Sequence, residues 1–508
     1  MNTQNPVPKV IVGQQPLTID DCVNVAKKMY LVEIHPDAIK RIQAAREFVE
    51  KQVKENRIIY GLTTGFGSLS TTCIDSKDTV KLQENLIRSH AVGCGDPAPN
   101  FIVRSMLLIR LACITNGNSG VRLAVAQKLV EALNKNYIPE VPSKGTVGAS
   151  GDLAPLSHLI LGLMGEGNAY DADTKSYVDA SIVMKKLNIE PIILMEKEGL
   201  ALNNGTQFIT SYAVFDFDDA IRVFHKSNMV ASMTIEAIHG THKAFDSLIS
   251  DVKPHEGQQF VAAAIRSYIL QDSEPSEINK KYAENKVQDA YDIRCIPQVA
   301  GPVYDLLMFS KKIIETEMNS SNDNPLIFAD LNKILSGGNF HGMYIGMVCD
   351  FIAYGMSVLC NISERRTDRL MNPALNKFLP EFLVENAGLN SGFMIVQYVA
   401  AALTAENRQL ANPASVHNIP TCNGTESIVS MGGWSARKAS QAADNAYRVL
   451  ACELFAACQA LDFTKEKTTE KLHHIHHHIR QHVPHIQTDT YTKPYIDIIY
   501  NMIKNDEI

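Results

Sequence analysis

The chain has 508 residues, of which 45% are hydrophobic and 20% charged, a composition typical of a globular protein with a large core. Its net charge of −7 argues against a nucleic acid or an anionic membrane as partner. The ten cysteines are scattered singly, without C-x-x-C pairs, which predicts reduced thiols and a cytoplasmic protein. Residues 1–15 lack the apolar core of a secretory signal, and no uninterrupted apolar run reaches the roughly 18 residues of a membrane span.

The chain opens with turn signals that alternate with helical patterns. Helices are predicted over residues 18–30, with Thr18 or Asp20 as the capping residue, and over residues 36–53, which begin with a proline. Tyr60 follows among three glycines, and this spacing predicts a tight loop. No Gly-Lys-Ser or Gly-Lys-Thr comes after it, so the loop is not a phosphate-binding loop.

Further helices are predicted over residues 82–95, 101–136 and 156–165. The first ends in a glycine turn that contains His90, and the second is interrupted by polar residues at 116–120. The most apolar part of the second helix carries two charged residues, Arg104 and Arg110. Short strand-like pieces such as residues 191–194 come next.

The second half of the chain is strongly helical. A glycine turn over residues 198–207 precedes it, and from residue 208 onward small residues recur at helix-contact spacing. Helices near 342–370 and 394–410 have little polar face, so we expect them to be buried in a bundle. We therefore predict a mainly α fold with a loop-rich N-terminal domain, residues 1–207, and a helical bundle with a C-terminal domain, residues 208–508.

One loop has unusual chemical potential. Residues 143–158 read S-K-G-T-V-G-A-S-G-D-L-A-P-L-S-H, with three small residues, Ala149, Ser150 and Gly151, at the centre. In a tight bend, the Gly151 nitrogen can reach the Ala149 carbonyl carbon, because Gly151 has no Cβ to obstruct it. Ring closure with loss of two waters would turn Ser150 into an electrophilic methylidene group. The same residues also fit an ordinary glycine turn in which Ser150 or Asp152 caps the next helix.

Several other turns resemble this one in carrying a functional side chain within a helical chain, and such loops often carry function. These side chains are Tyr60, His90, Asn204, Tyr291 with Arg294, Phe340 and Glu426. Tyr291 and Arg294 are three residues apart, hence on one face if their segment is helical.

A histidine-rich stretch near the end is the other unusual feature. Residues 472–485 contain seven histidines, and pairs such as His473/His477 have the i, i+4 spacing of a chelating pair. No carboxylate or cysteine in the stretch completes a ligand set, so we predict a solvated helix face and no metal site.

The loops resemble those of the ammonia-lyases that use a 4-methylidene-imidazol-5-one (MIO) electrophile. The resemblance covers about residues 58–463 and lies in seven segments: Y-G-L-T-T-G-F-G, R-S-H, G-T-V-G-A-S-G-D-L-A-P-L-S-H, G-L-A-L-N-N-G-T-Q, Q-D-A-Y-D-I-R-C, S-G-G-N-F-H-G and T-E-S-I-V-S-M-G-G-W. It implies a fumarase/aspartase-like helical architecture, a homotetramer, and MIO formed from Ala149, Ser150 and Gly151 without an external cofactor.

The resemblance also implies roles for single residues. Asn204 would hydrogen-bond the MIO oxygen, and Tyr60 would remove the substrate's β-proton. Arg294 would bind the substrate carboxylate, with Tyr291 polarising the adduct or orienting Arg294. The remaining three positions are Phe340, which would shield the electrophile from water, and His90 and Glu426, which would contact the substrate ring.

Substrate choice rests on fewer positions. A carboxylate at Glu426 suits an imidazole N–H, whereas relatives that act on phenylalanine or tyrosine tend to carry glutamine there. The pair Ser89-His90 also fits members that act on histidine, which would release trans-urocanate. Asn203, Ser427 and Ile428 depart from the pattern of those members. The alternatives are a tyrosine or phenylalanine ammonia-lyase, an aromatic 2,3-aminomutase, and an inactive scaffold.

Overall fold

The computed structural model describes residues 7–55 and 79–508, so the loop that contains Tyr60 lies outside the described residues. Within this part of the chain helices predominate, which confirms the predicted mainly α fold. In chain order they are α1 (Ile19–Ala26), α2 (Pro36–Lys54), α3 (Thr79–His90), α4 (Asn100–Thr115), α5 (Leu123–Asn134), α6 (Leu153–Leu163), α7 (Ala180–Leu187), α8 (Glu198–Asn203), α9 (Gln207–Ala237), α10 (Ser247–Asp251), α11 (Glu256–Ile269), α12 (Glu277–Tyr282), α13 (Tyr291–Arg294), α14 (Ile296–Met318), α15 (Met343–Met371), α16 (Pro373–Asn376), α17 (Met394–Leu410), α18 (Gly432–Leu461), α19 (Glu470–Arg480) and α20 (Lys493–Lys504).

The strands form small two-stranded sheets. They are β1 (Lys9–Val12), β2 (Leu31–Ile34), β3 (Cys94–Pro97), β4 (Pro142–Lys144), β5 (Asn168–Asp171), β6 (Ser176–Asp179), β7 (Leu270–Gln271), β8 (Glu274–Pro275), β9 (Leu326–Phe328) and β10 (Lys333–Leu335). β1 pairs with β2 in parallel, and the other four pairs, β3–β4, β5–β6, β7–β8 and β9–β10, are antiparallel. Each sheet is thus a small pairing of two short strands.

Helix starts follow their capping chemistry. Thr18 is the N-cap of α1, where its side chain accepts from the Asp21 amide while the Asp21 carboxylate accepts from the Thr18 amide. Pro36 opens α2, as predicted. α1 ends at Ala26 rather than residue 30, because the chain must extend before β2 to pair with β1.

Two local expectations are wrong. Residues 191–194 form no strand, although Ile192 and Leu194 are buried. Residues 198–207 are not a simple glycine turn, because Glu198–Asn203 form the short helix α8. The fully buried Glu198 carboxylate holds this helix by pairing with Arg122 at 2.7 Å.

The residues fall into two compact units. The first comprises residues 1–215, 311–350 and 413–437, and the second comprises residues 216–310, 351–412 and 438–508. The 143–158 segment and the turns at 336–342 and 421–433 all belong to the first unit. The domain boundary drawn at 207/208 stays a prediction.

Helix α15 is long and apolar enough, by length and composition, to cross a membrane, although the sequence predicts no span there. In its most apolar window, 72% of the residues are buried inside the protein. The core helix of a soluble protein meets the same criteria, so its apolar composition is explained by packing.

Candidate active site

The segment that was predicted to close a ring has an unusual backbone. Gly145, Gly148 and Gly151 all lie in the left-handed region, with φ of +127°, +68° and +79°. At Gly151 a Cβ atom would lie 2.2 Å from the carbonyl oxygen of Gly205, where no side chain fits. The tight bend at residues 149–151 therefore needs glycine for both conformation and space.

Two other loops hold this backbone from outside. The Gly148 carbonyl oxygen accepts hydrogen bonds from the Ser430 hydroxyl and the Gly342 amide, each at 3.1 Å. The Val147 carbonyl oxygen accepts from the Met431 amide at 2.9 Å. The turns at 336–342 and 421–433, distant in sequence, thus meet at the segment that was singled out for its chemistry.

Asp152 follows the bend and is fully buried. Its carboxylate accepts from the Thr146 hydroxyl at 3.1 Å and the Ile209 amide at 3.0 Å, while its own amide donates to the Gly205 carbonyl oxygen at 2.7 Å. Burial raises the pKa of Asp152 to about 7, against the effect of these donors. Asp152 occupies the N-cap position of α6, but its side chain makes no capping bond there. Instead of capping α6, as the sequence suggested, the Asp152 carboxylate therefore bonds the backbone at the start of α9.

Asn204 lies against Ser150. Its side-chain amide donates to the Ser150 carbonyl oxygen at 2.6 Å. In the predicted ring closure the Ala149 carbonyl oxygen leaves as water and the Ser150 carbonyl oxygen is retained. Asn204 therefore contacts the oxygen atom that an MIO ring would keep, and the residues present fit that group.

The Ser150 side chain faces a carboxylate. Its hydroxyl donates to Oε1 of Glu426, while the other oxygen of Glu426 accepts from the Thr421 hydroxyl. Thr421 and Glu426 also pair through their backbones, which closes the turn that carries the carboxylate. The structure thus places two predicted site residues that are 276 positions apart in direct contact.

A cavity of about 240 Å³ opens over these groups. Ser150 and Glu426 line it together with His90 and Ser89, and a ring nitrogen of His90, Nδ1, lies 2.9 Å from the Ser89 hydroxyl. Burial lowers the pKa of His90, although the nearby Glu426 opposes the shift. His90 is therefore neutral near pH 7 and can exchange hydrogen bonds with a polar ring in the cavity.

The other predicted residues lie elsewhere. Phe340 is half-buried two residues before Gly342 and is not among the residues that line the cavity. Tyr291 and Arg294 belong to the second unit, on α13, where the Arg294 guanidinium lies 4.6 Å from the centre of the Tyr291 ring. Their predicted position on one helix face is confirmed. Across residues 7–55 and 79–508, no group of three or more His, Cys, Asp or Glu side chains is arranged to hold a metal ion.

Sequence reasoning missed the residues that support the site from behind. Thr421 bears an ordinary hydroxyl group that no pattern in the sequence marks. Ser430 lies within the segment T-E-S-I-V-S-M-G-G-W, but no role was predicted for it. Arg110 is buried and bonds the backbone at Asn204. The sequence did mark Arg110, because a cation in the middle of an apolar helix needs a specific partner.

A mainly helical chain that bends an Ala-Ser-Gly loop under an asparagine and a glutamate has the features of an ammonia-lyase. The family comparison agrees with this class. The chain belongs to the aromatic amino acid lyase family, whose model matches residues 17–481.

Individual relatives span most of the chain. It is 44% identical to human histidine ammonia-lyase over 494 residues, which are 97% of this chain and 75% of the relative. The crystal structure of histidine ammonia-lyase from Trypanosoma cruzi matches with a TM-score of 0.91 and 39% identity, and covers 98% of this chain and 94% of that one. Phenylalanine aminomutase from Pantoea agglomerans matches with a TM-score of 0.92 and 31% identity, over 99% of this chain and all of that one.

Proposed function

We propose that the protein is a histidine ammonia-lyase that converts L-histidine to trans-urocanate and ammonia without oxidation. The observation that carries this proposal is the contact between the Ser150 hydroxyl and the Glu426 carboxylate. It puts a carboxylate acceptor, suited to an imidazole N–H, beside the side chain whose Cβ would become the electrophilic carbon. The relatives named histidine ammonia-lyase support the same substrate.

The proposed prosthetic group is MIO, formed from Ala149, Ser150 and Gly151. When formed, it supplies an electrophilic carbon that turns the substrate amine into a better leaving group. Asn204 holds the retained oxygen, and Gly148 and Gly151 permit the bend that ring closure needs. No external cofactor and no metal are required by this proposal.

The substrate-handling roles follow from side-chain chemistry. Arg294 presents a planar fork that matches a carboxylate, and Tyr291, stacked on it, orients that fork. His90 and Glu426 bind the imidazole, and Phe340 shields the electrophile from water. Tyr60 remains the proposed base for the β-proton, and its ordinary pKa of about 10 must be lowered by its surroundings for work near neutrality.

The three departures from the histidine pattern lie away from the cavity lining. Asn203 is fully buried, and its side-chain amide donates to the Ser157 hydroxyl at 3.4 Å. The Ser427 carbonyl oxygen accepts from the Asn418 side chain at 2.7 Å, and the Ile428 side chain is exposed. None of the three positions lines the cavity, whereas His90 and Glu426, the two residues proposed to contact the imidazole, do.

Incubation of the purified protein with L-histidine, L-tyrosine and L-phenylalanine, followed by ultraviolet absorbance, tests the substrate. We expect urocanate from histidine and little product from the other two. Product from tyrosine or phenylalanine alone would replace the substrate assignment and keep the reaction class. A β-amino acid, detected by chiral chromatography, would instead indicate an aromatic 2,3-aminomutase.

The proposed assembly is a cytoplasmic homotetramer. Helices α15 and α17 expose large apolar side chains, among them Tyr344, Met347, Tyr354, Ile395 and Tyr398. Exposed apolar side chains on long helices are typical of a surface covered by another subunit. Light scattering should give the mass of four chains, and a monomer at micromolar concentration would contradict the assignment.

A further inference from the structure

Arg110 lies in the middle of α4 and is fully buried. Every residue of this helix from Ile102 to Thr115 is buried, so the guanidinium has no route to solvent. Removing a cation from water costs several kcal/mol unless hydrogen bonds replace the lost hydration. The position therefore has a specific role, and its partners indicate which one.

The guanidinium donates mainly to oxygen atoms of one turn. One terminal nitrogen also lies 4.0 Å from the Cys113 sulfur, and Nε has no partner among the described residues. Its two terminal nitrogens donate to the carbonyl oxygens of Ala201 and Asn204, each at 2.9 Å, and to the side-chain oxygen of Gln207. Within the described residues no carboxylate pairs with it, although Asp152 and Asp323 are close enough to favour its charge. Arg110 thus forms hydrogen bonds to the segment between α8 and α9 rather than an ion pair with an acidic side chain.

That turn is the surface against which the Ala149–Gly151 bend is formed. Asn204 bonds the Ser150 carbonyl oxygen, and the Gly205 carbonyl oxygen accepts from the Asp152 amide. Gly205 is confined between Arg110 and the Gly151 bend, since a Cβ on Gly205 would lie 2.6 Å from an Arg110 nitrogen. A movement of the Asn204–Gly205 peptide would change the position of Asn204 and the room left for Gly151 together.

We propose that Arg110 is a positioning residue for the formation of the electrophile, holding the Asn204–Gly205 peptide in the place where Ser150 and Gly151 are forced to bend. The inference rests on the proposed MIO group. In ring closure the Gly151 nitrogen bonds the Ala149 carbonyl carbon, whose oxygen leaves as water with the amide protons of Ser150 and Gly151. The Ser150 hydroxyl leaves as the second water with the Ser150 Cα hydrogen. Arg110 touches none of the reacting atoms and takes up none of these protons.

Lysine is a suitable replacement because it keeps the charge and removes the fork. A single ammonium group cannot reproduce the planar arrangement that joins Ala201, Asn204 and Gln207. The same helix provides a matched control. Arg104 is also buried, and its guanidinium donates to the carbonyl oxygens of Val25 at 2.8 Å and Leu133 at 3.0 Å, away from the ring-forming loop.

The experiment compares the wild type, Arg110→Lys and Arg104→Lys as full-length chains by intact mass and thermal melting. We expect the wild type and Arg104→Lys to be lighter than their sequences by two waters. In Arg110→Lys we expect the fraction that has lost two waters to fall at least about tenfold, because small displacements of reacting groups slow a reaction strongly. The melting temperatures of the two variants should be similar, which separates ring formation from general loss of stability.

Complete loss of two waters in a folded Arg110→Lys protein would overturn the inference and leave the proposed function intact. A wild-type chain of full mass would overturn the MIO proposal and this inference together. If Arg110→Lys does not fold, Gln207→Met provides the test, since it keeps the guanidinium and removes one acceptor. Its loss of water, followed over time after refolding, should be slower than in the wild type, and an equal rate would contradict the proposal.

Discussion

Two stretches of the chain are dense in reactive side chains, residues 143–158 and the histidine-rich stretch 472–485, and they differ in what lies behind them. Ser150 has a buried framework in which Asp152, Asn204 and the loop at Ser430 each bond the surrounding backbone. The histidines lie on or just beyond α19, and four of them, His473, His474, His477 and His482, are exposed.

The two best-supported histidines in that stretch serve structure. His476 and His485 contact the two oxygens of Asp462 at 2.9 and 2.8 Å, and Arg480 pairs with the same carboxylate at 2.7 Å. These partners lower the pKa of Asp462 to about 2 despite its partial burial. No carboxylate lies within the stretch itself, and the structure supplies Asp462, at the end of α18, as an ion-pair acceptor.

The difference between the two stretches indicates that the reactivity of a side chain depends on the buried polar groups that hold it, rather than on how many reactive groups lie nearby. A hydroxyl becomes useful when its neighbours fix its orientation and limit its solvent. An exposed histidine pair has neither constraint. We expect the effects of substitution to decrease in the same order, from Ser150 to the exposed histidines.

Ser150→Ala has the largest expected effect. Alanine has no hydroxyl to lose, so the electrophile cannot form, and the rate of histidine deamination should fall by about 10³-fold or more. The measurement is urocanate formation at saturating substrate. Ser157→Ala, which alters another buried serine on α6, is the control and should retain most of the activity.

Asn204→Ala should come next. It removes the donor to the Ser150 carbonyl oxygen, and loss of one such preorganised donor lowers kcat by about 10²- to 10³-fold. Asn203→Ala is the matched control, because the neighbouring amide bonds Ser157 rather than the ring-forming loop. Equal kcat values for the two variants would show that the Asn204 side chain makes no specific contribution to catalysis.

Glu426→Gln tests substrate choice. Loss of a charge-assisted hydrogen bond costs about 1.5–3 kcal/mol, so kcat/KM for histidine should fall about 10- to 100-fold. Activity with phenylalanine should not fall in parallel, since an apolar ring has no N–H for the carboxylate. A proportional decrease for both substrates would assign Glu426 to catalysis alone.

Asp152 predicts a pH dependence of stability. Its folded-state pKa of about 7 lies above the ordinary value of 3.8, so the folded state binds the proton more tightly than the unfolded state. The stability contributed by this proton is present at low pH and is lost as the pH rises toward 7. The melting temperature of the wild type relative to Asp152→Asn should therefore decrease between pH 5 and pH 7 and then level off. A difference that grows over this range would contradict the buried carboxyl.

The double variant His473→Ala, His477→Ala should have the smallest effect. Exposed substitutions of this kind change the free energy of unfolding by about 0.5 kcal/mol or less. Asp462→Asn, by contrast, removes the shared ion-pair acceptor and should cost about 1–3 kcal/mol. Denaturant titration distinguishes the two, and a large loss in the double variant would give the exposed pair a role that the structure does not show.

Much of the architecture was accessible from the sequence. The apolar periodicity predicted α15 and α17 within one residue at each end of the helices, and Thr18 and Pro36 marked two helix starts. The strand predicted at residues 191–194 is wrong, because an apolar run can be buried equally well in a loop. Short apolar runs carry no information on their partners.

The residues of the candidate site could be proposed from the sequence, whereas the contacts that support them could not. Ala149, Ser150 and Gly151 were proposed from the chemistry of a tight bend together with the family resemblance, whereas the contact between Ser150 and Glu426 joins positions too distant for any local pattern. The same holds for Arg110, whose oxygen acceptors lie more than 90 residues further along the chain. Long-range hydrogen bonds of this kind depend on packing that no single segment specifies.

The most direct test of the account is the mass of the peptide that contains residues 149–151, isolated from the active wild-type protein by proteolysis. We predict a mass lower than the sequence mass by two waters, with the change confined to this peptide. An unmodified peptide from protein that converts histidine to urocanate would contradict the central claim that this chain builds its electrophile from its own backbone.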